Sequence, residues 1–143
     1  MADIVMQQRF TAPPERVFAL LTDHEGFGRA LGENIRVERP GVPAPNGLGA
    51  VRIIRARGLT IREEVVRWEP PAAMDYRVVS GAPLHHHLGA IRLTPDGQGT
   101  RVDYRIHFDW PWYLGGAVIG QLVATTLRQQ IAAALAKMAA TQA

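Results

Sequence analysis

The sequence predicts one α+β domain in which a strongly curved antiparallel sheet wraps a long C-terminal helix around an apolar pocket. Three observations predict it. A run of alternating apolar and polar segments, broken by glycine and proline, occupies the middle of the chain. From Tyr113 onward proline is absent and apolar residues recur at spacings of three and four. Strands gathered in a run with helices at the ends indicate α+β with an antiparallel sheet, not a doubly wound fold.

Asp3 to Thr11 carries Ile4, Met6, Gln8 and Phe10 on one parity and reads as the first strand. Its Asp3 and its alternation argue against a secretion signal. Pro13 and Pro14 suit the first turn of a helix, where a missing N–H costs nothing, and Glu15 complements the helix dipole. Val17, Phe18, Leu20 and Leu21 give that helix an apolar side. A second short helical turn is expected around Phe27 to Leu31.

Ile35 to Arg39 is a strand closed by Pro40, and Pro40 to Gly49 is a loop. Five strands follow: Ala50 to Arg57, Leu59 to Trp68 across a tight turn at Gly58, Met74 to Ser80, His85 to Thr94, and Thr100 to Trp110 after Asp96–Gly97. The last is the clearest, with Val102, Tyr104, Ile106 and Phe108 on one face and Arg101, Asp103, Arg105 and His107 on the other. Ile119, Val123, Leu127, Ile131, Leu135 and Met138 then mark one helical face. A helix of about 28 residues would run about 42 Å at 1.5 Å per residue. It is buried only if a sheet bends around it.

The 143 residues suit a single domain spanning 1–143, without repeat or linker. An apolar fraction of 47% excludes a disordered chain. The net charge of +3 comes from arginine, since Lys137 is the one lysine. These arginines alternate with aliphatics along strands and read as the solvated face of a sheet, so nucleic acid is not an expected partner. The chain has no cysteine, which removes disulfides and thiol chemistry and fits the expected cytoplasmic location. Leu114 to Leu127 is the most apolar stretch, but it is shorter than the roughly 18 to 20 residues of a span, so no membrane insertion is expected.

Several motifs are similar to those of one family. They are Phe10-Thr11-Ala12-Pro13-Pro14-Glu15-Arg16-Val17-Phe18 with Leu21-Thr22-Asp23; Gly47-Leu48-Gly49-Ala50-Val51-Arg52; Arg62-Glu63-Glu64-Val65 running to Trp68-Glu69-Pro70-Pro71; Tyr76-Arg77-Val78; and Gly99-Thr100-Arg101-Val102. In their order the chain resembles the START-like SRPBCC superfamily, and within it the polyketide cyclase/dehydrase and lipid-transport family. The resemblance implies a helix-grip fold, about seven antiparallel strands gripping the last helix, to which the residue pattern adds two short helices after strand one. It also implies a cavity for a hydrophobic or amphipathic ligand. It implies no reaction, because members range from carriers to cyclases. One stretch departs from the pattern: His24-Glu25-Gly26-Phe27-Gly28-Arg29 holds no tryptophan.

Candidate site residues follow from parity. Glu63 shares a face with Leu59, Ile61 and Val65, so it is either a desolvated acid or base in the cavity or the partner of a neighbouring arginine such as Arg52 or Arg55. On a regular strand His85 and His87 would share a face, roughly 6.6 Å apart along the chain. No spacing nominates a third ligand, so no metal is expected. His87, on the parity of Ile91 and Leu93, is either a proton carrier in the pocket or part of a polar strand start. Tyr76 and Tyr104 lie on apolar faces, as ligand-orienting hydroxyls or as core. Ile91, Phe108, Ile119 and Val123 complete the expected lining. Trp112, in Trp110-Pro111-Trp112-Tyr113, either touches ligand or anchors the start of the helix. Gly115, Gly116 and Gly120 each cost about 1 kcal/mol inside a helix unless a close approach requires them.

Phosphate-loop, GxGxxG, HExxH and nucleophile-elbow patterns are absent, Ser80 is the one serine, and no cofactor is expected. Three functions stay in competition. The first is binding of a lipid, polyketide or aromatic molecule. The second is a lyase-type cyclase or dehydratase using Glu63 and His87. The third is an interaction module with a closed core and an exposed apolar patch, like chaperone activators.

Overall fold

In the computed structural model, residues 2–141 are described. Nine residues of β1 (Ala2–Phe10) lead into α1 (Pro14–Leu21) and α2 (His24–Leu31). Then come β2 (Asn34–Arg39), β3 (Val51–Ala56), β4 (Leu59–Glu69), β5 (Ala73–Ser80), β6 (His85–Asp96) and β7 (Gly99–Asp109). A 3-10 turn, Trp112–Leu114, precedes the 26-residue α3 (Gly116–Thr141). Every strand and helix expected from the sequence is present, with ends displaced by one to two residues in most cases. The seven strands form one antiparallel sheet in the order β1-β7-β6-β5-β4-β3-β2. The strands form a meander after β2, and β1 closes on β7.

Local chemistry sets the elements. Pro14 opens α1 and buries Val17, Phe18 and Leu21. Asp23 caps α2 by accepting from the Gly26 N–H, and Gly32 ends it in the left-handed region at φ 76°. Arg57 and Gly58 both take positive φ in the β3–β4 hairpin, which suits the sheet's right-handed twist. The inner face of β7 is buried throughout at Val102, Tyr104, Ile106 and Phe108. It packs with Ile4, Met6 and Ile91 against Ile131, Leu135 and Met138 of α3.

The buried face of α3 departs from the expected stripe. Gly120 and Ala124 are buried with Ile131, Ala134, Leu135 and Met138, while Ile119 is 37% exposed and Val123 and Leu127 are half-buried. The reason is proximity. A Cβ on Gly120 would lie 2.9 Å from the Trp110 Cβ, so the first turns of α3 sit too close to that residue for a large side chain to point inward. Gly115 just before the helix and Gly116 at its first position both take positive φ and swing the chain onto this path. Val118 and Leu122 consequently face outward.

The outer sheet face carries cross-strand ion pairs: Arg62–Glu38, Glu64 between Arg39 and Arg77, and Arg9–Asp96. Most arginines therefore behave as a solvated face. Arg52 is the correction, because it is 5% exposed and points inward. No helix among the described residues is long and apolar enough to cross a membrane.

Candidate functional site

A cavity of about 150 Å³ lies between the concave face of the sheet and α3. Ile54 and Ala56 of β3, Ile61 of β4, Val78 of β5, Leu84 and Ile106 form much of its sheet wall. Phe27 and Leu31 of α2 and Leu127 and Ile131 of α3 close it from the helical side. Its polar groups are Glu33, Arg52, Glu63, Tyr76, His87, Tyr104 and Gln130. An apolar enclosure with a few fixed polar groups is the usual form of a small-molecule site.

The register of the sheet assembles the polar wall. Arg52 and Glu63 are direct partners across β3 and β4, so both point inward from one rung. Arg52 Nε donates to Glu63 Oε1 at 2.9 Å, and Arg52 Nη1 donates to His24 Nδ1 at 3.0 Å. The guanidinium also lies 4.3 Å above the centre of the Tyr76 ring, within cation–π range. Burial opposes its charge, and Glu63 first, with Tyr76 and Tyr104 after it, outweighs that, so the net shift of its pKa is upward.

Glu63 therefore pairs with Arg52, one of the two arginines that the sequence offered it. Arg55, the other, is exposed. The ion pair and the cavity position coexist, because both side chains line the space.

His24 completes this clamp, and no motif flagged it. It is fully buried, and its Nε2 donates to the Asn46 carbonyl at 3.0 Å. With Nδ1 facing an arginine donor, the ring is neutral. Burial first, and the Arg52 charge second, hold its pKa down to about 3. His24 thus ties the loop after β2 to the start of α2 in the corner that lacks a tryptophan. Part of that corner is filled instead by Trp68, edge-on to Phe18 at 5.0 Å between ring centres.

Tyr76 pairs with Gly89 across β5 and β6, and a Cβ on Gly89 would collide with the tyrosine ring. The bare glycine lets the ring lie across β6, so that the Tyr76 hydroxyl meets the Tyr104 hydroxyl of β7. Both tyrosines are buried. Desolvation raises the Tyr104 pKa to about 12 and the Tyr76 pKa well above its ordinary value, so both hydroxyls keep their protons at neutral pH.

The histidine run does not alternate as a regular strand would. His86 takes φ 53° and the β6–β7 register shifts between His85 and Leu88. His85 and His86 are exposed, and His86 contacts Asp109 at 2.9 Å. His87 turns into the cavity, 5.6 Å from Tyr76 between ring centres. Its Nδ1 accepts from the Val78 backbone N–H at 3.0 Å. Burial lowers its pKa.

Glu63, His87, Tyr76 and Tyr104 thus border one cavity. No hydrogen bond joins Glu63 to His87 among the described residues. Ile91 and Phe108 are buried in the core beside the cavity and do not line it. Trp112 is 84% exposed, and Ile119 and Val123 lie on α3 beyond the cavity wall. Trp110, rather than Trp112, anchors the start of α3, by donating from Nε1 to the Leu114 carbonyl at 2.7 Å. Ile61 and Val78 line the cavity on the parities of Glu63 and Tyr76, whereas Phe27, Leu31, Ile54 and Leu84 form walls that strand parity did not select.

The fold recurs among solved structures. TTHA0849 from Thermus thermophilus matches with a TM-score of 0.73 at 22% identity, over 94% of this chain and 92% of that one. The Aha1 dimer from Colwellia psychrerythraea matches with a TM-score of 0.71 at 15% identity, over 97% and 94%. Ara h 8.0201 matches with a TM-score of 0.63 at 14% identity, over 95% and 96%. At these identities the likeness establishes the helix-grip fold. No curated protein matches the sequence significantly. The family model described as polyketide cyclase/dehydrase and lipid transport matches residues 1–143, and the chain belongs to that family.

Proposed function

We propose that this protein binds a small hydrophobic molecule in the cavity between its sheet and α3. The observation that carries this reading is the cavity itself: about 150 Å³, walled mainly by aliphatic side chains. A space of this size, mainly apolar, is large enough for a benzene-sized guest. The family description, which includes lipid transport, points the same way. Tyr76 and Tyr104 are the ligand-contacting aromatics, offering their rings to the guest while their hydroxyls bond to each other. The cysteine-free chain suits a reducing cytoplasm.

A second reading is a cyclase or dehydratase acting in the same cavity. It is favoured by the convergence of Glu63, His87 and two protonated tyrosines on one space. Binding is the better-supported of the two, since Glu63 is held by Arg52 and His87 Nδ1 by backbone. Each group is fixed rather than poised for proton transfer.

Native mass spectrometry of freshly purified protein, followed by denaturing extraction, tests the proposal. A defined hydrophobic molecule at near-stoichiometric occupancy is the expected result. An unliganded mass that persists after incubation with small aromatic and aliphatic compounds would contradict it.

A further inference from the structure

His87 gives the cavity a direction. Its Nδ1 accepts from the Val78 N–H, so a neutral ring must carry its proton on Nε2. Protonating Nδ1 as well would set two donors against each other, and burial disfavours the cation too. His87, which lines the cavity, therefore offers it a donor and not a base. Nε2 makes no hydrogen bond among the described residues. A donor left unmatched beside an apolar guest carries a desolvation cost of about 1–3 kcal/mol.

The charges on the wall narrow the choice. Glu33 and Glu63 line the cavity against one guanidinium, Arg52. Arg52 is already engaged by Glu63 and His24, and Glu33 accepts from Gln130 at 2.8 Å. An anionic guest would meet two carboxylates and no unengaged cation.

Resting on the binding reading above, we infer that the ligand is a neutral, mainly apolar molecule with one hydrogen-bond acceptor of the carbonyl class, received by His87 Nε2–H. Free carboxylic acids of the same size are excluded by the wall's charge. Hydrocarbons fit the walls but leave the donor unmatched.

Three probes of one size separate these cases: ethylbenzene, acetophenone and benzoate, each titrated into the full-length protein by heteronuclear NMR. Acetophenone is expected to bind about ten-fold more tightly than ethylbenzene, the ratio that one matched hydrogen bond gives, and also more tightly than benzoate. In His87→Phe the ratio of ketone to ethylbenzene affinity, both measured on that variant, should fall to about two-fold or less. On wild-type protein, acetophenone should move the His87 Nε2 resonance much farther than ethylbenzene does, a readout that needs no variant to fold. Equal affinity for ketone and hydrocarbon, an advantage that survives His87→Phe, or benzoate binding best would overturn the inference and leave the binding reading standing. Saturable binding of none of the three would overturn both.

Discussion

Arg52 and Glu63 face each other directly across β3 and β4 and join at 2.9 Å, with side chains only 6% and 9% exposed. Removing one member leaves the other charge buried without its partner. Glu63→Gln should therefore destabilise the fold by about 3–5 kcal/mol, while the paired change Arg52→Met with Glu63→Leu should cost far less or nothing. Urea unfolding of the three proteins checks this. A single variant as stable as wild type would show that the pair does not hold this wall.

His24 makes stability depend on pH in a known direction. Its pKa falls from 6.5 to about 3 on folding, so the unfolded chain binds a proton that the folded chain refuses. Stability is complete above about pH 6.5 and declines as pH falls toward about 3, by at most about 1.4 kcal/mol per pH unit. The lowered pKa of His87 adds a loss of the same sign. Comparing unfolding midpoints at about pH 7.5 and about pH 5 should show the decline, and His24→Gln should flatten it. An unchanged slope in that variant would place the titration elsewhere.

Gly89 holds open the space that the Tyr76 ring occupies. Gly89→Ala should cost about 1–3 kcal/mol through overpacking, and much less in a Tyr76→Leu background. A double-mutant cycle measures that coupling, and additive costs would refute it.

Gly120 sets propensity against packing. In a free helix Gly120→Ala would gain about 1 kcal/mol. Here the new methyl would sit 2.9 Å from the Trp110 Cβ. The packing term should win, giving a lower thermal midpoint. A raised midpoint would mean that α3 can move away from Trp110 at little cost.

Much of the fold was legible because its signals are local. The alternation of β7, the prolines ahead of α1 and the unbroken period of α3 each encode one element. The site was legible in part. Strand parity placed Glu63, Tyr76 and Tyr104 inward, and it named Arg52 as a possible partner of Glu63. It also counted Arg52 among the arginines of the solvated face, since pattern alone cannot tell a buried arginine from an exposed one. What buries Arg52 is Glu63 across the rung and His24 from a distant corner.

His24 itself carried no signal, because its partners Asn46 and Arg52 are brought to it only by the completed fold. The histidine run was misread as regular because one residue at positive φ, His86, breaks the alternation. Ile119 lost its inward place to Gly120 for a reason outside the helix, the nearness of Trp110. Each difference arises from a contact distant in sequence or from a backbone irregularity, which periodicity does not encode.

The most direct test of an apolar guest cavity is a titration of isotope-labelled protein with toluene, followed by intermolecular NOE measurement. The account predicts saturation at one equivalent, NOEs from the guest to the methyls of Val78, Leu127 and Ile131, and loss of binding in Val78→Phe, which fills the space. Shifts that fail to saturate, with NOEs confined to the exposed Val118 and Leu122 on α3, would contradict it.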